Sequence, residues 1–431
     1  MPATPAFSRS LLPLLALALA MMLGFATMGS FGTVQEGAKA ELHLSDYTLS
    51  LIQGLSAALP LALFSIPIGI WVDRHNRVRI MIVLVATFVL GTVLTAVAQS
   101  VALLFVARML TGIGTTGALT AALSLCADLC PPTQRGRALL VVNLGKSLGQ
   151  AMAFGLTGAL FGLFLHGGAP DWFWHAAPWR SAHLALALLG AVFMIPLFLL
   201  REPARHEVAA STHAPFRVVA GELWARRGFL LPLFMGQVSV VMADAAAAIW
   251  AAPVLSRSFG LRPDQVAGWM GTMIFVAGLL GAIVGGVSAD WGQKSGRRGG
   301  LLIGAVIAAA IGIPAGLFPI APSVPVFGAA LGLLLLCGAV TGVVTSVALT
   351  VLIPNELRGL CIGAFIAIAG LIGFGVAPTL VAAASSLFGG ESHLDQGLAT
   401  VGAATSTLSL LAFFVAMRRA PATATATAEP I

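Results

Sequence analysis

Charge is what this sequence has least of. Only 9% of its 431 residues are Asp, Glu, Lys or Arg, while 58% are hydrophobic and the mean hydropathy is +0.97. A water-soluble globular domain carries about 25% charged residues, so that class is excluded. Cysteine is scarce too, with four residues at Cys126, Cys130, Cys337 and Cys361. They make no disulfide framework, and no His or Cys cluster has metal-ligand spacing, so no metal or other cofactor is expected. No glycine-rich string ends in Lys-Ser/Thr after a strand, which argues against an ATP-driven pump. Nor does any nucleophile stand at catalytic spacing from a base, so enzyme chemistry is not expected.

What remains is a succession of apolar runs, each long enough to cross a bilayer as a helix of ~20 residues. They do not alternate apolar with polar positions, as barrel strands would. The runs fall at 11–33, 47–71, 79–98, 101–125, 138–164, 181–200, 228–252, 266–289, 300–320, 325–351, 359–385 and 397–417. The expected fold is therefore an all-α membrane protein with twelve transmembrane helices. The first run, preceded by Arg9, has some features of a signal sequence. It reads better as a membrane helix, because its apolar character continues to Phe31.

The formal charge of +7 raises the question of a nucleic-acid partner, and the placement of the charges argues against one. With the N-terminus inside, 17 of the 23 Lys and Arg residues fall in segments on the cytoplasmic side and four on the other. Such asymmetry is the positive-inside signal of membrane topology. It predicts a multi-pass protein of the cell membrane, a bacterial inner membrane, with both termini cytoplasmic.

The stretch "GIWVDRHNRVRI" from Gly69 has an echo in "GVSADW" from Gly286: each places an acid four residues after the glycine, at Asp73 and Asp290, with a basic cluster beyond. The repeat predicts two six-helix halves, 1–200 and 228–417, joined by a cytoplasmic linker at 201–227. A low-complexity tail at 418–431 is expected to be disordered.

The loop pattern Gly-x-x-x-Asp-Arg-x-x-Arg-x-Arg, with "RMLTGIG" on the fourth helix, resembles the signature of the major facilitator superfamily of secondary transporters. Within it, "LHLSDYTLSLIQG", "LSLCADLCPPTQRGRAL" and "WRSAHLALALLG" resemble the bacterial relatives of spinster-type lipid transporters. The resemblance implies a monomer and the major facilitator fold. It also implies a conformational switch at Gly69, Asp73, Arg74, Arg77 and Asp290, in which Asp73 caps the eleventh helix near Arg358 and Gly359. Gly69 is expected to allow close helix approach, and the arginines to hold helix ends at the surface. Asn76 stands where the family prefers glycine, in a turn that tolerates Asn.

Three charges fall well inside the predicted helices: Arg108, Lys146 and Asp244. Each costs about 2.5 to 3.5 kcal/mol at a helix centre on insertion scales, so each is a functional candidate. Arg108 shares a face with Thr115, and Lys146 forms a stripe with Asn143 and Gln150. Asp244 follows Gln237 by two turns. The expected roles are substrate binding for Lys146, Asn143, Gln150, Arg108, Thr115 and Gln237, and proton coupling for Asp244 with Arg108. The plainer readings are an arginine satisfied by carbonyls, a lysine snorkelling to the surface, and an aspartate that pairs with Arg108. The spinster pattern has acids where this chain has Thr27 and Thr115, so its proton site does not carry over.

Together these features predict a secondary active transporter working by alternating access. It would be proton-coupled and move an organic solute that is anionic or amphipathic, such as a lysophospholipid. The alternatives are a symporter of small organic-acid or sugar-acid anions with protons, a membrane sensor that binds solute without moving it, and, more weakly, an intramembrane enzyme. The expected partners are the small-molecule or lipid-like substrate, the proton and the surrounding membrane lipids.

Overall fold

A computed structural model describes residues 7–130, 134–168, 176–204, 221, 224–353 and 355–421, with backbone alone at 7–9, 66, 355–360 and 362. Most of the expected linker and tail therefore lies outside the described residues. Among the described residues there is no strand, and twelve helices are long and apolar enough to cross a membrane.

The helices are α1 (Phe7–Leu42), α2 (Asp46–Ser50 and Ser56–Arg74, joined by a π turn at Leu51–Leu55), α3 (Arg77–Val97), α4 (Val101–Leu129), α5 (Arg135–Leu165) and α6 (Pro178–Phe198). They continue with α7 (Arg227–Phe259), α8 (Pro263–Lys294), α9 (Ile303–Ala315), α10 (Val324–Leu352), α11 (Asn355–Ile368 and Gly375–Leu387, joined by a π turn at Ala369–Phe374) and α12 (Leu394–Arg419). Local chemistry sets several starts. Ser45 and Ser100 accept the Thr48 and Leu103 amides at 3.1 and 3.3 Å, each satisfying one orphan donor of a first turn. Pro178 opens α6, where a missing N–H costs nothing.

Helix α1 runs nine residues beyond the expected end at 33. The extension carries Glu36, Lys39 and Glu41, whose charges would be costly without partners. Each has one: Glu36 pairs with Arg257 at 2.7 Å, Lys39 with Asp46 at 2.6 Å and Glu41 with Arg180 at 2.9 Å.

By packing, the chain forms two compact units, Met1–Ala209 with Ala248–Phe275, and Ala210–Ala247 with Val276–Ile431. The first unit buries Leu14, Leu17, Met21, Met81, Phe88 and Leu125 in one apolar core. Helix α5 lies directly against α1, because side chains at Gly145 and Gly149 would collide with the Ala18 and Met22 carbonyls; small residues at such spacing let helix backbones touch in a membrane. The second unit has its own core around Leu233, Leu302, Val344 and Phe413.

Candidate functional site

In the first unit, Arg108 projects from α4 toward the backbone of α1 and is 6% exposed. Its NH1 donates to the Thr27 carbonyl at 3.1 Å and its NH2 to the Met28 carbonyl. Its guanidinium carbon stands 5.5 Å from the centre of the Phe31 ring, and its Nε is buried without a partner. Thr115 also bonds to α1, donating to the Gly24 carbonyl at 3.1 Å. An α-helix has few carbonyls to spare, so these contacts fix where α4 meets α1.

Lys146 of α5 comes to the same stretch of α1. It is partly exposed, and its amine stands 5.3 Å from the centre of the Phe25 ring, a cation–π contact. Among the described residues neither Arg108 nor Lys146 forms an ion pair. Two cations thus converge on positions 25–28 of α1 without a carboxylate. Asn143 and Gln150 are exposed on α5, and Asn143 donates to the Leu139 carbonyl of its own helix at 3.0 Å.

In the second unit, Gln237 is buried and accepts from Thr345 Oγ1 at 3.0 Å, which ties α7 to α10. Asp244, two turns on, has its Oδ1 buried without a hydrogen bond. Its carboxylate lies across Gly338 of α10, where any Cβ would fall 2.8 Å from Oδ1. A side chain there would displace the carboxylate from this position.

The residues of the expected switch are placed unequally. Arg77 is 2% exposed and not at the surface as expected. It pairs with Asp128 of α4 and, at 2.8 Å, with Glu202, and donates to the Pro203 carbonyl at 3.0 Å. Glu202 also accepts the Val78 amide at 3.0 Å. A buried guanidinium needs such partners, and the sequence reading had named neither carboxylate. Gly69 has open space where a Cβ would stand, so it permits no close approach among the described residues. Asp73, Arg74 and Asp290 are exposed. The expected partners of Asp73, the amides around Arg358 and Gly359, belong to residues of which the backbone alone is described. Asn76 caps α3, its Oδ1 accepting the Arg79 amide at 2.8 Å.

Two further groups escaped the sequence reading. Arg257 of α7 binds Glu36 and Asp46 at 2.7 and 2.6 Å. These residues fell outside or at the edges of the expected spans. His183 is fully buried in α6, and a search limited to Lys, Arg, Asp and Glu passes over it. All four cysteines are free and buried, and the described residues hold no metal-ligand cluster.

Among the described residues, twelve helices long and apolar enough to cross a membrane mark a multi-pass membrane protein. The chain belongs to the Major Facilitator Superfamily, whose profile matches residues 16–378. Its relatives include a probable 4-methylmuconolactone transporter of Cupriavidus pinatubonensis, 26% identical over 74% of this chain and 72% of that one. Another is the 3-(3-hydroxy-phenyl)propionate transporter of Escherichia coli, 36% identical over 25% of this chain and 26% of that one. The fold is shared with a bacterial homologue of the human lysosomal transporter spinster, solved inward-facing and unoccupied, at a TM-score of 0.81 and 24% identity over 95% of this chain and 97% of the other. These relatives and neighbours are transporters, not enzymes.

Proposed function

We propose that this transporter carries a small organic carboxylate across the cell membrane together with a proton, by alternating access. The observation that carries the reading is the convergence of Arg108 and Lys146 on one stretch of α1 with no acidic partner. Cations held without counter-ions in a membrane are costly, and a bound carboxylate supplies the missing charge. Asp244, with an unpaired buried oxygen, is the proton carrier in this reading. A carboxylate in such surroundings binds and releases a proton as its exposure changes. The relative named for 3-(3-hydroxy-phenyl)propionate supports a carboxylate over a lysophospholipid. In this reading the protein is a monomer with halves 1–200 and 228–417, and the distribution of Lys and Arg supports cytoplasmic termini.

The test uses purified protein in liposomes with a trapped pH dye. Addition of 3-(3-hydroxyphenyl)propionate should move protons, and Asp244→Asn should stop that movement. Proton movement with lysophospholipid alone would sink the carboxylate reading, and binding without any movement would favour a sensor. Asp73, Arg74, Arg77 and Asp290 are proposed to bias the conformational equilibrium, with Asp73→Asn weakening the outward-open state. Unchanged cysteine accessibility of the cytoplasmic cavity in that variant would refute this role.

A further inference from the structure

His183 is a buried titratable side chain that this transport scheme leaves unused. It packs against the rings of Phe31 and Trp179, at centroid distances of 6.0 and 6.1 Å. Its Nδ1 lies 2.7 Å from the Trp179 carbonyl. A carbonyl only accepts, so Nδ1 carries a hydrogen. Its Nε2 lies 3.2 Å from Ser30 Oγ, which lies 2.8 Å from the Thr27 carbonyl. That carbonyl also receives Arg108.

The Ser30 hydroxyl has one hydrogen and two neighbours that compete for it. When His183 is neutral, Nε2 has only a lone pair, so the hydrogen points to the imidazole and the Thr27 carbonyl, besides its own helix's amide, serves only Arg108. When His183 is protonated, Nε2 donates to Ser30, whose hydrogen then turns to the Thr27 carbonyl and shares it with Arg108. Both states leave His183 and Ser30 bonded, but they load the carbonyl beneath Arg108 differently.

Burial and the charges around His183 together decide when each state is favoured. Arg108 of α4 is the cation that acts on it. On its own helix, Arg180 is bound to Glu41 of α1 at 2.9 Å, and Glu41 also takes the Trp179 indole at 2.7 Å. The other charges described on α1, Glu36 and Lys39, are bound to Arg257 and Asp46. Helix α3 has no charged residue beyond Arg79, and on α5 Lys146 stands over Phe25. A positive charge at His183 is opposed first by burial and then, among the charged neighbours, by Arg108, and an anion on Arg108 removes that second part.

We propose that His183 is a positioning residue that takes up a proton when an organic anion occupies Arg108, linking the two through Ser30 and the Thr27 carbonyl. This rests on the reading of Arg108 as an anion ligand. Binding linkage is reciprocal, so anion affinity must rise as pH falls.

The test measures binding of 3-(3-hydroxyphenyl)propionate to the full-length protein in micelles between about pH 7.5 and about pH 5.5, in an Asp244→Asn background that removes the other proton carrier. One linked proton tightens binding by up to about tenfold per pH unit. His183→Gln should flatten that slope while changing affinity at about pH 7.5 by less than about threefold, and Ser30→Ala should flatten it in part. A slope unchanged in His183→Gln overturns the proposal, whereas affinity unchanged in Arg108→Gln overturns the anion reading instead. A measurement without ligand decides the matter if the probe does not bind. Nitrogen NMR of labelled histidines, with His183 assigned by its loss in His183→Gln, should show the imidazole titrating at higher pH in Arg108→Gln than in the wild type. An identical titration in both overturns the link.

Discussion

Two arginines of the same unit, Arg77 and Arg108, are about equally buried and have opposite surroundings. Arg77 holds Asp128, Glu202 and the Pro203 carbonyl, whereas Arg108 has two carbonyls of α1 and a nitrogen with no partner. Removing one partner of a buried ion pair strands the others, so Arg77 stabilises the fold. Arg108 is kept at a cost to stability, which fits the anion-binding role proposed for it. The largest expected effect follows from this contrast. Arg108→Gln should lower organic-anion uptake by more than about 100-fold, as loss of a charge-assisted contact worth roughly 3 kcal/mol would, with little change in thermal unfolding. Normal uptake in that variant would erase the distinction between the two arginines.

The opposite substitution tests the other side. Arg77→Ala takes the buried guanidinium away from Asp128 and Glu202 and should destabilise the protein by about 3 kcal/mol, read in detergent unfolding. The apparent KM for anion uptake by the folded fraction should stay near the wild-type value. A raised KM with normal stability would mean that Arg77 senses substrate. Lys146→Gln falls between the two. With its amine held only by the Phe25 ring, it should raise KM by roughly tenfold, about 1.4 kcal/mol, without a loss of stability.

The sequence made the helices legible because each is a long apolar run, and their number is confirmed. The ends were less legible. Helix α1 looked finished at 33 because Glu36, Lys39 and Glu41 read as loop; what keeps them helical are Arg257, Asp46 and Arg180, partners that only the fold brings near. The same limit applies to the site. Arg108, Lys146 and Asp244 stood out because a charge within an apolar run is conspicuous. Whether a polar group has a partner is a three-dimensional property, so Arg77 was read as a surface residue although it is buried, and the bond between Gln237 and Thr345 gave no sign in the sequence. His183 carries no fixed charge and gave no such signal. Yet its spacing from Trp179, one helical turn, is visible in "WRSAH" once a buried histidine is sought.

The smallest expected effect sharpens the account of Arg77. Helix α3, which carries it, is held at its start both by the ion network and by the Asn76 cap on the Arg79 amide. Loss of a side-chain cap costs about 1 kcal/mol. Asn76→Ala should therefore lower stability by about that much and Asn76→Gly by only a few tenths of a kcal/mol, because glycine is itself tolerated at the cap position. If Asn76→Ala proved as damaging as Arg77→Ala, the cap and the ion pairs would form one cooperative unit. The double variant distinguishes the cases, because independent contributions add and coupled ones do not. Additive losses would leave Arg77 as the main anchor of this helix end and the Asn76 cap as a separate, smaller contribution.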